Sequence, residues 1–120
     1  EGDRKQDEDS LEAEDIAPVE LPTLFWGSHE SNRCVLMVHG FCSCAAQFSE
    51  IAEGMLKENW CVTAVDLRGH GKAPCASRYL LEDYASDIER VQPGNGKPWN
   101  LVVGHSMGAA CSVLAAARNP

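Results

Sequence analysis

An apolar run that ends in a glycine-flanked serine does most to limit what this chain can fold into. Residues 101–103 are followed by Gly104-His105-Ser106-Met107-Gly108 and then by small residues that favour a helix. Gly-x-Ser-x-Gly is the spacing of a nucleophile elbow, in which a serine lies at the tip of a sharp strand-to-helix turn. Side chains at the glycine positions would collide in so tight a turn. The pattern predicts a strand, a turn at Ser106, and a helix whose N-terminus faces the serine.

Two earlier apolar runs predict further strands that are buried on both faces. The first run, residues 33–40, is followed by Phe41, which completes the motif His39-Gly40-Phe41. The second run, residues 60–66, leads into Leu67-Arg68-Gly69-His70-Gly71. Continuous rather than alternating apolar residues are typical of a parallel sheet. A short apolar segment, residues 21–26, predicts an edge strand, because its proline is confined to the start.

Helical periodicity follows each buried strand. The first helix is predicted to open at Ser43 or Cys44, and the third covers residues 107–118. The apolar face of the first consists of Phe48, Ile51, Ala52, Met55 and Leu56. The second helix is predicted to bury an apolar face that consists of Leu80, Leu81, Tyr84, Ile88 and Val91. Its predicted outer face consists of Glu82, Asp83, Asp87 and Glu89. Alternating strands and helices with short connections predict parallel strands joined by right-handed crossovers.

In such sheets, ligands bind outside the carboxyl ends of the strands. The three predicted strand exits are His39-Gly40-Phe41, Asp66-Leu67-Arg68 and His105-Ser106-Met107. We therefore expect all three clusters at the same edge of the sheet. Asp66 is expected to bond to N–H groups of the loop that follows it.

With these three motifs in this order, the chain resembles the N-terminal half of an α/β-hydrolase-fold protein. It is most similar to the serine hydrolases that include monoacylglycerol lipases, lysophospholipases and small carboxylesterases. The resemblance implies a three-layer α/β fold with a parallel sheet, truncated after the nucleophile-elbow helix. It implies that residues 21–120 are the N-terminal portion of such a domain, and it implies no cofactor and no metal.

The resemblance also implies residue roles. Ser106 is the expected nucleophile, which would form an acyl-enzyme with a small-molecule acyl ester. The backbone N–H groups of Phe41 and Met107 are the expected oxyanion donors. The elbow and loop glycines are Gly40, Gly104 and Gly108.

None of the residues that match the motifs of this family can be assigned as the catalytic base. The base histidine of this fold follows the acid in the order Ser…Asp/Glu…His, whereas His39, His70 and His105 all precede Ser106. His39 and His70 are expected to shape loops through bonds to nearby backbone. The fourteen residues after Ser106 contain no Asp, Glu or His. We therefore expect this chain to be a fragment that is inactive by itself.

Several alternatives remain open at this point. Ser106 could be a helix-capping serine in a glycine-rich turn. Within the fold, a serine nucleophile also serves perhydrolases, carbon–carbon bond hydrolases and serine aminopeptidases. A different class is a non-catalytic hydrolase-like binding module.

The charge distribution and the cysteine content argue against other classes of function. Residues 1–20 hold nine acidic and two basic side chains and are predicted to be a disordered acidic tail, whereas residues 21–120 hold nine acidic and eight basic ones. With no basic patch, no nucleic-acid partner is expected. No apolar run approaches a membrane span, and no oligomeric state is predicted. The six cysteines are interpreted as free thiols, which, with no visible signal peptide, favours a cytoplasmic location.

Overall fold

A four-stranded sheet lies at the centre of residues 17–119, the part of the chain that this computed structural model describes. The strands are β1 (Thr23–Trp26), β2 (Arg33–Val38), β3 (Trp60–Val65) and β4 (Leu101–Gly104), in the order β1-β3-β2-β4. β2 is parallel to both β3 and β4, whereas β1 pairs antiparallel with β3 at one edge. The parallel strands and the edge strand that the sequence predicts are confirmed.

The three parallel strands end in line with one another. Val38, the last residue of β2, is the register partner of Val65 on one side and of Gly104 on the other. The residues that follow these three positions therefore emerge at one edge of the sheet, as the sequence predicts.

Helices cover both faces of the sheet. A 3₁₀ turn (Ala45–Phe48) leads into α1 (Ser49–Leu56), which packs on one face, while α2 (Leu81–Glu89) and α3 (Met107–Arg118) pack on the other. The core on the α1 side consists of Val35, Met37, Ala45, Phe48, Ala52, Val62 and Ala64. The core on the other side includes Leu36, Val38, Val65, Tyr84, Ile88 and Cys111. The predicted three-layer α/β arrangement is confirmed.

The first helix differs from its prediction. Cys44 precedes a 3₁₀ turn rather than the α-helix, which begins only at Ser49. Phe48 and Ala52 face the sheet, but Ile51 is 57% exposed. Successive residues of a helix are about 100° apart, so Ile51 points away from the face that its neighbour Ala52 buries.

The prediction for the second helix is wrong for its acidic residues. Asp83 and Asp87 are 3% and 0% exposed, whereas Leu80 and Leu81 are 49% and 43% exposed. The two carboxylates are buried because arginines pair with them: Arg78 with Asp83, and Arg68 with Asp87. A buried charge is tolerated only with such a partner.

The sequence predicts a third buried strand that would present an open apolar edge in the absence of later strands, and β4 is partly exposed. Leu101 and Val102 are 43% and 39% exposed. Within residues 17–119, β4 has a neighbouring strand only on the β2 side. This leaves an apolar sheet edge open in the described part of the chain.

Most of the predicted acidic tail lies outside the described residues. Its last four residues, 17–20, are described, and Val19 packs against the core on the α2 side. The Val19 N–H donates a hydrogen bond of 2.6 Å to Oδ1 of Asp87.

Three of the six cysteines, Cys34, Cys61 and Cys111, are fully buried. Burial raises the pKa of Cys61 to about 12, with a further contribution from the Cys34 thiol, and burial raises the pKa of Cys111 to about 11. The thiols of Cys61 and Cys111 therefore remain protonated at neutral pH, and all three buried cysteines pack as small apolar groups. Between residues 17 and 119, no helix combines the length and apolar character needed to cross a membrane.

Candidate active site

Ser106 occupies the turn between β4 and α3 in an unusual backbone conformation. Its φ of 56° and ψ of −118° lie outside the left-handed region that serine can adopt at low cost. Such a conformation costs on the order of 1–3 kcal/mol and is typical of functional positions. The serine is exposed and directly precedes the first turn of α3.

The Ser106 side chain does not cap the helix. A capping serine accepts a hydrogen bond from the N2 or N3 backbone N–H through its hydroxyl oxygen, but no such bond is present. The N–H of Ala109 donates instead to the backbone carbonyl of Ser106, at 3.0 Å. The hydroxyl is therefore not used by the helix, which disfavours the interpretation of Ser106 as a cap.

The glycines around the turn are required by close backbone contacts. A Cβ at Gly104 would lie 2.4 Å from the Cα of Ala109, and a Cβ at Gly108 would lie 2.3 Å from the carbonyl oxygens of Val38 and His39. Real Cβ atoms essentially never approach so closely. The collision that the elbow spacing predicts is thus present at both glycines.

Gly40 brings the end of β2 against the same turn. A Cβ at Gly40 would lie 3.1 Å from the carbonyl oxygen of His105 and 3.3 Å from the Cβ of Ser106. Phe41 directly follows this glycine in the chain. Among the described residues, neither the Phe41 N–H nor the Met107 N–H has a protein acceptor. Two free backbone donors thus belong to Met107, which follows the serine, and to Phe41, which follows the Gly40 that packs against it.

His39 is fixed beneath the site. Its Nδ1–H donates to the Gly40 carbonyl at 2.7 Å, and its Nε2 accepts the Leu67 N–H at 2.9 Å. Burial holds the pKa of His39 below its usual 6.5; the nearby His70 acts in the same direction, while the Gly40 bond and Asp66 act against it. Both ring nitrogens form hydrogen bonds, so His39 links the segments that follow β2 and β3. This agrees with the loop-shaping role that was predicted for it.

The other histidines lie at the same edge of the sheet. The Nδ1–H of His70 donates to the Arg68 carbonyl at 2.9 Å, which also agrees with a loop-shaping role. His105 is exposed, and its backbone N–H donates to the Val38 carbonyl. Within residues 17–119, no histidine side chain forms a hydrogen bond with Ser106.

Asp66 connects two of the segments that surround the site. Its Oδ1 accepts the Ala45 N–H at 2.8 Å, and its Oδ2 accepts the Lys72 N–H at 3.0 Å. The second bond lies in the loop after β3, as predicted; the first, to the 3₁₀ turn before α1, was not predicted. Asp66 therefore acts as a brace for the backbone in this structure.

One ion pair that holds this region in place was not predicted from the sequence. Arg68 is 1% exposed and bonds through two nitrogens to Asp87 of α2. Because helical periodicity placed Asp87 on the outer face, no local pattern pointed to this pair.

The described residues also contain no group of three or more His, Cys, Asp or Glu side chains that could hold a metal ion.

Comparisons with known proteins show the family and the fold. A family model described as the alpha/beta hydrolase fold matches residues 33–120. The chain is 36% identical over 91 residues to a 2-(acetamidomethylene)succinate hydrolase of Mesorhizobium japonicum, covering 75% of this chain and 32% of that protein. It is 26% identical over 107 residues to an sn-1-specific diacylglycerol lipase of Mus musculus, covering 88% of this chain and 35% of that protein.

Solved structures show the same similarity. A marine microorganism esterase superposes with a TM-score of 0.70 at 28% identity, over 85% of this chain and 38% of that chain. The structure of an E-2-(acetamidomethylene)succinate hydrolase gives 0.68 at 32% identity, over 88% and 38%. The chain spans between 22% and 35% of the length of the curated relatives that it matches.

Proposed function

Because the chain belongs to the α/β-hydrolase fold family, we propose that it is the nucleophile-bearing portion of a serine hydrolase that cleaves acyl esters at Ser106. Its relatives include a lipase, and similar solved structures include an esterase, which supports acyl-ester chemistry. The relatives' own substrates differ from one another, so the family alone does not select one.

One observation carries the proposal: Ser106 is strained, exposed and uncapped at the N-terminus of α3. The fold tolerates an unfavourable backbone conformation there without using the hydroxyl for structure. A serine held in this way is available as a nucleophile, and the positive end of the helix dipole favours negative charge beside it.

The proposed chemistry has two steps. Oγ of Ser106 bonds to the carbonyl carbon of the ester, and the alcohol leaves after taking the proton that the hydroxyl gives up. Water then adds to the acyl carbon and the bond to Oγ breaks; the hydroxyl of the water stays on the released carboxylic acid, and its other proton passes to Oγ of Ser106. The N–H groups of Phe41 and Met107 are the proposed donors to the oxygen that becomes negative in each step; one such donor contributes about 3 kcal/mol.

The proton needs an acceptor, and no histidine side chain among the described residues forms a hydrogen bond with Ser106. His39 uses both ring nitrogens in backbone bonds, and His70 donates to Arg68. We therefore propose that residues 1–120 alone do not turn over esters, and that a base histidine and its acid come from other parts of the complete natural polypeptide.

Ester hydrolysis by the complete natural polypeptide tests the proposal, with p-nitrophenyl acetate as substrate. Ser106→Ala is expected to lower kcat by a factor on the order of 10⁴ to 10⁶. Ser86→Ala is the matched control, because Ser86 lies on α2 and its hydroxyl donates only to the Glu82 carbonyl. Full activity of Ser106→Ala would contradict the assignment, and no activity in a folded wild-type protein would favour a binding module.

A further inference from the structure

The most exposed large apolar side chain beside the candidate site is Phe41. It is 71% exposed, and it follows Gly40, which abuts the Cβ of Ser106. An exposed phenylalanine contributes little to the stability of the fold, since the hydrophobic gain comes only from area removed from water. Its position beside the serine gives the ring another possible use, contact with the molecule that reaches Ser106.

The Phe41 ring is supported rather than free. It meets His70 edge to face, with ring centroids 5.6 Å apart and an interplanar angle of 77°, an arrangement that aromatic pairs prefer. On its other side, His70 contacts the His39 ring at a centroid distance of 5.1 Å. Three rings thus form one row from the buried His39 to the exposed Phe41.

The base of this row is held by hydrogen bonds. His39 bonds to Gly40 and Leu67, and His70 bonds to the carbonyl of Arg68. The Arg68 guanidinium is itself locked in the buried pair with Asp87. The row therefore presents a pre-positioned aromatic surface, and pre-positioning reduces the entropy lost when a ligand covers it.

Two charged side chains at this edge of the sheet, those of Asp66 and Arg68, face inward. Asp66 accepts two backbone N–H groups, and Arg68 is paired with Asp87. Neither is directed to a charged group on a substrate. The exposed Phe41 ring gives this edge an aromatic surface.

We infer that Phe41, supported by His70, is a specificity-determining residue that selects esters with a large apolar group. This inference rests on the proposed function of Ser106. The apolar group of the substrate would cover the Phe41 ring when the ester carbonyl lies at Ser106. Phe41 would then have two roles: its N–H would donate to the oxyanion, and its ring would set the preference for substrate size.

Alkyl fluorophosphonates of two chain lengths, ethyl and dodecyl, test the inference on the complete natural polypeptide. In the labelling reaction, Oγ of Ser106 bonds to phosphorus, fluoride leaves, and the hydroxyl proton passes to the base or to solvent. The quantity to measure is the ratio of the two labelling rate constants, dodecyl over ethyl, because a change in the oxyanion donor alters both rates together.

The wild-type protein is expected to react faster with the dodecyl probe. Phe41→Ala should lower the ratio roughly tenfold, and Phe41→Leu should lower it less, because discrimination between apolar groups in a pocket is usually 10–200-fold. His70→Ala should also lower the ratio, since the Phe41 ring loses its support. Val113→Ala is the control: Val113 is 70% exposed on α3, and both rate constants should stay unchanged.

The outcomes separate this inference from the function on which it rests. If neither probe labels Ser106 in the folded wild-type protein, the nucleophile proposal fails and the inference fails with it. If both probes label Ser106 but the ratio is the same in wild type, Phe41→Ala and Phe41→Leu, the nucleophile stands and the role of Phe41 is overturned.

Discussion

The guanidinium of Arg68 and the carboxylate of Asp87 form a buried two-point ion pair, with Nε–Oδ2 and Nη2–Oδ1 distances of 2.7 and 2.8 Å. Asp87 also accepts the Val19 N–H, and Arg68 also donates to the Arg78 carbonyl. The hydrogen bond to Asp87 raises the pKa of Arg68 above its usual value. The pair joins the segment before β1, the loop after β3, and α2.

Loss of one partner of this pair is expected to be strongly destabilising. Asp87→Ala leaves the Arg68 charge buried and unpaired, which typically costs about 3–5 kcal/mol of unfolding free energy. Urea denaturation of the complete natural polypeptide measures this cost. Glu82→Ala is the control on the same helix, since Glu82 is exposed, and it should cost less than about 1 kcal/mol. Equal costs for the two variants would show that the pair does not hold these segments together.

Two glycines in helices are expected to respond in opposite ways to alanine. Gly108→Ala would place a Cβ 2.3 Å from two backbone carbonyl oxygens, whereas a Cβ at Gly54 in α1 meets nothing within 4 Å. Gly108→Ala should therefore destabilise the protein by about 1–3 kcal/mol or more. Gly54→Ala should stabilise it by roughly 0.5–1 kcal/mol, because alanine favours a helix interior. Their melting temperatures should move in opposite directions, and an unchanged or higher melting temperature of Gly108→Ala would contradict the close packing of α3 on the end of β2.

The arrangement around Ser106 could largely be predicted from the sequence, because local rules set it. Gly104 and Gly108 flank the serine at elbow spacing, and continuous apolar runs identified the parallel strands. Once the strands are parallel, their exits must share an edge. The structure bears this out in the alignment of Val38 with Val65 and Gly104.

The buried charges could not be predicted in this way. Asp83 and Asp87 look like outward residues of an amphipathic helix, and the arginine that buries Asp87 lies nineteen residues away. Asp83 did carry a local signal, because an acid three residues after a helix cap often bonds back to the cap N–H, as it does to Leu80 at 2.9 Å. Helical periodicity likewise failed for Ile51, since a 3₁₀ turn precedes α1 and shortens the face that packs on the sheet.

Stability is expected to depend on pH through His39. Because burial lowers the pKa of His39 in the fold, the unfolded chain takes up a proton at a higher pH than the folded chain. The contribution of His39 is therefore complete above about pH 6.5 and is lost progressively as the pH falls toward the lower folded pKa.

Denaturation midpoints measured between pH 7.5 and 5 check this sign. The wild-type midpoint should fall with falling pH, and His39→Gln should be less stable at pH 7.5 but show a smaller fall. His29→Gln is the control, because His29 is exposed and lies outside the site. A His39→Gln profile parallel to that of the wild type would remove His39 as a source of the pH dependence.

The open edge of β4 predicts that the 120-residue chain by itself self-associates. Leu101 and Val102 present a partly exposed apolar strand, and such edges pair with other chains. Light scattering should detect large species, and Val102→Lys should reduce them, because a charged residue blunts an edge. Val113→Lys changes a more exposed valine on α3 and should have little effect. A monomer with a sharp cooperative thermal transition would contradict this expectation.

Identification of the residue that a fluorophosphonate modifies is the most direct test of the central claim, that Ser106 is the nucleophile. After exposure of the folded complete natural polypeptide to the ethyl probe, peptide mass spectrometry locates the added phosphonyl group. We expect one group per molecule, on Ser106, and none after Ser106→Ala. Modification of a different serine, or no modification of the folded protein, would contradict it.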